Sequence, residues 1–357
     1  MTRNYSFDFF RGVMALCVAI GHYFYWNDKF DVIPLSFILA VDYFFILSGF
    51  VLSWSVLRKN KFDSFDFAKS RLLRLYPVYI FTAILTYVVS KLLHVDLGTP
   101  NLGDIIETIS IGEMLPFVKS SNFVFFQPLG IAWSISSELL IGIIFFPILY
   151  VLNKKLRQLI FPFLILIILI CFFNINNSSI EYPDEYMNLH YHKFSQLIPF
   201  GLIRGLLGYA LGAFIYYIVE YIQKNNRIIN ENALSFMQII IIFLIIYLYA
   251  YNDYKRINEY YSVFIFSILI TSLSFNKGVV FKWTNNIAGD WFGRISYPLY
   301  LLHPVFILIN KKIVIFSNMF SVIAILFYTV CLLIASMLVH KYVEEKFILY
   351  FKKNRHN

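Results

Sequence analysis

Five ionisable side chains in this chain lie inside apolar sequence, and their types are those of proton transfer and anion binding: His22, Asp42, Glu138, Arg204 and His303. Ionisable groups inside apolar spans are costly and are functional candidates by default. A neutral imidazole is a natural general base near physiological pH, which makes His22 the first candidate for moving a proton. Glu138 follows Ser134 by four residues, so the two face the same way on a helix. Arg204 stands among Gly201, Gly205, Gly208 and Gly212 and needs an anionic or glycan partner there. A second, basic group comprises Arg11, Arg71 and Arg74. Arg71 and Arg74 share a helix face at the start of a span, where two guanidiniums make a phosphate clamp. Asp8, three residues before Arg11, is placed to pair with it. Arg11 and His22 are eleven residues apart. That is about three turns, so they share one face about 16 Å apart along the axis.

Each residue also has a plainer reading. His22 sits beside Tyr23, Tyr25 and Trp26, as an interfacial histidine in an aromatic belt would. Ser48 and Gly49 serve as a close-packing notch between helices, and the four glycines around Arg204 as a packing surface. The arginines after residue 57 fit an ordinary basic loop. The run Ser296-Tyr297-Pro298-Leu299-Tyr300-Leu301-Leu302-His303-Pro304 fits a proline-kinked helix with a satisfied histidine.

The elements that must hold these groups follow from composition. The 357 residues are 59% hydrophobic and 14% charged, with a mean hydropathy of +0.67. A soluble domain carries about 25% charged residues, so this chain cannot cover a water-facing surface. Spans of about 20 apolar residues are expected near 8–26, 35–56, 75–93, 131–152, 158–175, 198–222, 235–251, 258–275, 293–311 and 319–342. The stretch 104–118 is amphipathic. The runs are continuous rather than alternating, which predicts an all-α polytopic helical bundle of about ten transmembrane helices and not a β-barrel. One membrane domain is expected over 1–345, with a short basic tail at 346–357. The approach to the first run, broken by Asp8 and Arg11, does not read as a cleavable signal peptide.

The net charge of +9 comes from basic residues between apolar runs, which is a topology pattern and not a nucleic-acid surface. With both termini cytoplasmic, twenty-one Lys and Arg fall inside and eight outside. In that orientation His22, Asp42, Glu138, Arg204 and His303 come from five helices and share the outer half, while Arg11, Arg71 and Arg74 gather at the cytoplasmic face. That arrangement is a two-ended site. Cys17, Cys171 and Cys331 are scattered and show no metal or disulfide spacing.

The chain resembles the membrane acyltransferase-3 family, which includes bacterial surface-polysaccharide O-acetyltransferases. The resemblance is carried by Phe7-Asp8-Phe9-Phe10-Arg11-Gly12 with His22, by Val41-Asp42-Tyr43-Phe44-Phe45-Ile46-Leu47-Ser48-Gly49-Phe50, and by Arg71-Leu72-Leu73-Arg74-Leu75-Tyr76-Pro77. It continues in Trp133-Ser134-Ile135-Ser136-Ser137-Glu138 and Ile295-Ser296-Tyr297-Pro298-Leu299-Tyr300-Leu301-Leu302-His303. The blocks run in order over almost the whole chain. Leu139 stands where a second acidic residue often follows Glu138. The resemblance implies about ten helices and an acyl-CoA donor, usually acetyl-CoA, that enters from the cytoplasm. It also implies a hydroxyl acceptor on an extracytoplasmic glycan such as O-antigen, capsule or exopolysaccharide, free or lipid-linked. It implies His22 as the catalytic residue and Arg71 and Arg74 as donor-site residues, in a bacterial cytoplasmic (inner) membrane. Some members add a soluble esterase-like domain after the last helix. This chain ends about fifteen residues past the tenth span, so that step is not expected.

On this reading CoA phosphates dock on Arg71 and Arg74 with help from Arg11. His22 takes the proton of the sugar hydroxyl or briefly carries the acetyl group. Glu138 or Asp42 orients the imidazole or holds the sugar. Arg204, Ser134, Tyr297 and His303 are the candidates for contacting the acceptor. No metal is required. Two alternatives are a polytopic glycosyltransferase or polymerase using Asp28 and Asp31 of the first outer loop, and a flippase for lipid-linked glycans. The orientation itself makes a prediction. Cysteines placed at Asn60 and Asn225 label only from the cytoplasm and one at Asn177 only from outside. Outside labelling at Asn60 would reverse the two ends of the site.

Overall fold

The computed structural model describes residues 3–27, 35–95, 102–115, 131–176, 198–225, 229–250, 257–313 and 322–353. Every regular element among them is helical. In chain order they are α1 (Tyr5–Tyr25), a 3₁₀ turn (Leu35–Ala40), α2 (Val41–Val56), α3 (Ser64–Leu92), α4 (Leu102–Ser110), α5 (Trp133–Val151) and α6 (Lys154–Asn176). Then come α7 (Phe200–Lys224), α8 (Glu231–Ala250), α9 (Ile257–Ser274), α10 (Val279–Thr284), α11 (Ile287–Ile313) and α12 (Val322–Val339). A π-helical turn (His340–Glu344) leads into α13 (Glu345–Lys353). A helix stands at each of the ten expected segments. Seven helices among the described residues are long and apolar enough to cross a membrane, and Val41–Val56 and Tyr261–Ser274 are shorter apolar helices. Asp28 and Asp31, the first residues of the segment expected from 319, and the last residues of the expected tail lie outside the described residues.

Local sequence explains the helix ends that matter for the site. The Asn4 side chain caps α1, accepting from the backbone N–H of Ser6 at 3.0 Å and of Phe7 at 3.2 Å. Asp8 then falls in the first turn, where a negative charge suits the helix dipole. Asp63 caps α3 by accepting from Asp66 N–H at 2.9 Å. The helix therefore begins eleven residues before the expected span at 75. Lys69, Arg71 and Arg74 mask its apolar face in a hydropathy reading, but they are helical residues. Arg71 lies seven residues into α3, about 10 Å along its axis.

Two seams organise the bundle. The most extensive helix pairs are α1 with α11 and α2 with α7. On the second seam a Cβ at Gly49 would overlap the backbone of Tyr209, and a Cβ at Gly212 would overlap the backbone around Ile46 and Phe50. Glycine at these positions allows backbone-to-backbone approach, the packing mode that replaces hydrophobic driving force between helices in lipid. On the first seam a Cβ at Gly293 would overlap the Asp8 carboxylate. That glycine makes room for a charged side chain between α1 and α11.

Candidate active site

Three acidic side chains inside the bundle, Asp42, Glu138 and Asp8, meet guanidiniums. Asp42, on the first turn of α2, accepts from Arg204 of α7 in a fork: Nε to Oδ1 at 2.7 Å and Nη2 to Oδ2 at 3.0 Å. Ser262 of α9 adds a hydroxyl at 2.9 Å. The two charged side chains are 3% and 11% exposed, so this is a buried pair with a third donor on the carboxylate. Glu138 of α5 accepts from Arg71 Nη2 of α3 at 2.6 Å and from Ser48 Oγ of α2 at 3.1 Å. Asp8 accepts from Arg11 at 3.3 Å and from Arg3 at 2.9 Å, and Arg3 continues to Asp290 at 3.0 Å.

A cavity of about 130 Å³ opens beside these pairs. Its polar lining comes from Arg11, Ser48, Arg71, Arg74, Ser134 and Glu138, with Ser296, Tyr297 and Tyr300 of α11. Its apolar wall includes Phe44, Phe45, Val51, Leu52, Leu75 and Ile135. Arg71 is buried, whereas Arg74 is exposed into the cavity. Among the described residues Arg74 makes no hydrogen bond or ion pair. Tyr297 lines the wall while its hydroxyl donates to the Leu75 carbonyl of α3 at 2.7 Å.

Tyr300 joins this space to the histidines. Its hydroxyl lies 2.7 Å from Ser134 Oγ and donates to the Ile131 carbonyl at 3.1 Å. Its ring meets Phe44 edge-on at 6.1 Å and His303 edge-on at 5.7 Å. Behind Tyr300 stand the two histidines. His22 Nδ1 and His303 Nε2 are 2.8 Å apart, with ring planes only 11° from parallel. The Trp26 ring lies 4.9 Å from that of His22 at 7°. His303 is fully buried, and His22 is half-buried.

The arrangement redistributes the expected partnerships. Of the two carboxylates considered for orienting His22 or holding the sugar, Asp42 is bonded to Arg204 and Glu138 to Arg71. The imidazole's partner is His303, expected to contact substrate. Arg204 finds its anionic partner in Asp42. Arg71, expected to clamp phosphate alongside Arg74, has a hydrogen-bonded carboxylate on it, so Arg74 is the guanidinium left open. Glu138, expected in the outer group, belongs to the arginine cavity. Sequence reasoning gave no role to Tyr300 or Ser262. Tyr300 was within reach, since it lies one helical turn before His303. Ser262 had no local signal. Among the described residues no group of three or more His, Cys, Asp or Glu side chains lies together as a metal site would require.

Comparison with known proteins gives two findings. A family model described as "Acyltransferase domain" matches residues 4–341. A protein named "Protein 2 in picA locus", from Rhizobium radiobacter, is 33% identical over 156 residues, covering 39% of this chain and 78% of its own length. No solved structure matches the chain.

The Asp42–Arg204 pair makes a separable prediction. Removing one member of a buried ion pair strands the other and costs about 3–5 kcal/mol. Arg204→Gln should therefore lower the melting temperature and folded yield in detergent. The double variant Asp42→Asn with Arg204→Gln, which strands no charge, should recover most of the loss. A single variant that melts like the parent would show that the pair carries no structural weight.

Proposed function

From the chain's membership of the membrane acyltransferase-3 family, whose model spans nearly all of it, we propose that it moves an acyl group, acetyl in the first instance, from cytoplasmic acyl-CoA to a hydroxyl of an extracytoplasmic glycan. The setting is a bacterial cytoplasmic membrane. The observation that carries this reading is the cavity lined by Arg74, which has no bonded partner among the described residues, and by Tyr300, one ring contact from the His303–His22 pair. A CoA thioester has the matching two ends: phosphates that seek planar donors and a carbonyl that must reach a base.

In this reading Arg74, with Arg11 nearby, receives the donor's phosphates, and the apolar wall follows the pantetheine arm. The half-buried face of His22 receives the acceptor hydroxyl beside Trp26, whose ring offers a sugar a flat apolar surface. His22 takes the hydroxyl proton as the oxygen bonds to the thioester carbonyl carbon. The C–S bond then breaks, and the thiolate leaves as the free thiol after taking a proton. A nucleophile relieved of its proton and a donor toward the developing oxyanion are what acyl transfer needs. The Tyr300 and Ser134 hydroxyls on the cavity wall are the nearest candidates for that donor.

The test is transfer of label from radioactive acetyl-CoA to added cell-surface glycan by the purified protein in lipid nanodiscs. His22→Gln should lower the rate by about 10²–10⁴-fold, the usual contribution of a positioned general base, and leave acetyl-CoA binding intact. Near-normal turnover in His22→Gln, or no label reaching any hydroxyl acceptor with the parent protein, would contradict the proposal.

A further inference from the structure

A neutral imidazole has one N–H, so two imidazoles sharing one hydrogen bond must divide their roles: one donates and the other accepts. The sequence around His303 decides which. Pro304 has no N–H, and in an α-helix that N–H would have bonded the carbonyl of the residue four before it, Tyr300. The Tyr300 carbonyl is thereby left without its helical donor in the middle of a buried helix. The His303 ring faces that carbonyl and the one of Leu299. Among the described residues its Nδ1 has no other partner, and it meets neither carbonyl at full hydrogen-bond alignment. Carbonyl oxygens only accept. A proton on Nδ1 of His303 is attracted to them, whereas a lone pair there would be repelled. With the proton on Nδ1, the Nε2 of His303 carries the lone pair.

We infer that His303 is a positioning residue. Its Nε2 accepts a hydrogen bond from His22 Nδ1 across the 2.8 Å contact and thereby holds His22 as the Nδ1–H tautomer, with the Nε2 lone pair free for the substrate. The near-coplanar rings are the geometry in which an in-plane lone pair meets an in-plane N–H. The direction of this bond matters for either chemistry open to His22. A general base and a transient acyl carrier both need an unprotonated Nε2, and a His22 carrying its proton there can be neither. In a Ser-His-Asp triad a carboxylate fixes the imidazole tautomer. Here Glu138 and Asp42 are held by Arg71 and Arg204, and a second, neutral imidazole takes that place. It does so without bringing a formal charge into the apolar interior, where an unpaired one is costly.

The inference rests on the acyl-transfer reading for its purpose but not for its measurement. Histidine-selective ¹⁵N labelling of the full chain in nanodiscs at neutral pH, with the His22 signals assigned by comparison with His22→Gln, reports the tautomer without any turnover. The expected spectrum shows His22 protonated at Nδ1 and bare at Nε2. A His22 protonated at Nε2, or at both nitrogens, overturns the inference while leaving the acyl-transfer reading untouched. Two variants give the kinetic arm. His303→Gln places an amide oxygen near the former Nε2 and should keep turnover close to the parent's. His303→Leu removes the acceptor and should lower kcat by about 10²–10⁴-fold, with the KM for acetyl-CoA unchanged. Equal activity of the Gln and Leu variants, both folded, would overturn the positioning role. Should neither variant fold, the parent protein's ¹⁵N spectrum still decides.

Discussion

An apolar surrounding allows few unpaired charges, and this constraint sorts the roles of nearly every polar residue in the bundle. An isolated charge in such a medium is costly, and three carboxylates near the site sit on guanidiniums. Asp42 forks with Arg204, Glu138 bonds Arg71, and Asp8 is shared by Arg3 and Arg11. Once these pairs are made, two features at the cavity stand out among the described residues. One is Arg74, exposed into the cavity and lacking a partner among the described residues. The other is the neutral His22–His303 pair behind Tyr300. Arg74 lines the cavity, and the histidine pair touches its wall through Tyr300.

The pairs also carry the architecture. Asp42–Arg204–Ser262 links α2, α7 and α9, and Arg71–Glu138–Ser48 links α3, α5 and α2. Salt bridges of this kind form only if the helices approach closely, and the glycines of the α2–α7 seam allow that approach. α11 adds the remaining element. It contributes Tyr297, Tyr300 and His303 from one continuous helix whose two prolines free backbone carbonyls without ending it. The carbonyl freed by Pro304 lies against the histidine that touches His22, so a helix irregularity and a site contact have one cause.

Much of this was legible in the sequence. Continuous apolar runs located a helix at every expected segment, and Asp8 three residues before Arg11 indicated their pairing. The glycines around Arg204 indicated a close helix contact. What was not legible is which charge meets which. Asp42 and Arg204 are 162 residues apart and Arg71 and Glu138 are 67 apart, and helical periodicity says nothing about partners on other helices. The start of α3 was hidden for a related reason. Lys69, Arg71 and Arg74 lower local hydropathy and fit a basic loop as well as a helix start, although Arg71 is buried against Glu138. The contact of His22 with His303 joins the first helix to the eleventh, so no local pattern contained it, whereas the orphaned Tyr300 carbonyl was present in the four residues Tyr300 to His303 and the proline after them.

The central claim is that charge pairing leaves Arg74, not Arg71, as the guanidinium for the donor. Equilibrium binding of acetyl-CoA to the detergent-solubilised protein tests it most directly, comparing Arg74→Ala with the double variant Arg71→Gln and Glu138→Gln. Loss of charge-assisted hydrogen bonds worth about 1.5–3 kcal/mol predicts that Arg74→Ala binds acetyl-CoA about ten- to a hundredfold more weakly, while the double variant, which removes the internal pair without stranding a charge, binds within a few-fold of the parent. Normal affinity in Arg74→Ala, or an equal loss in the double variant, would contradict the account.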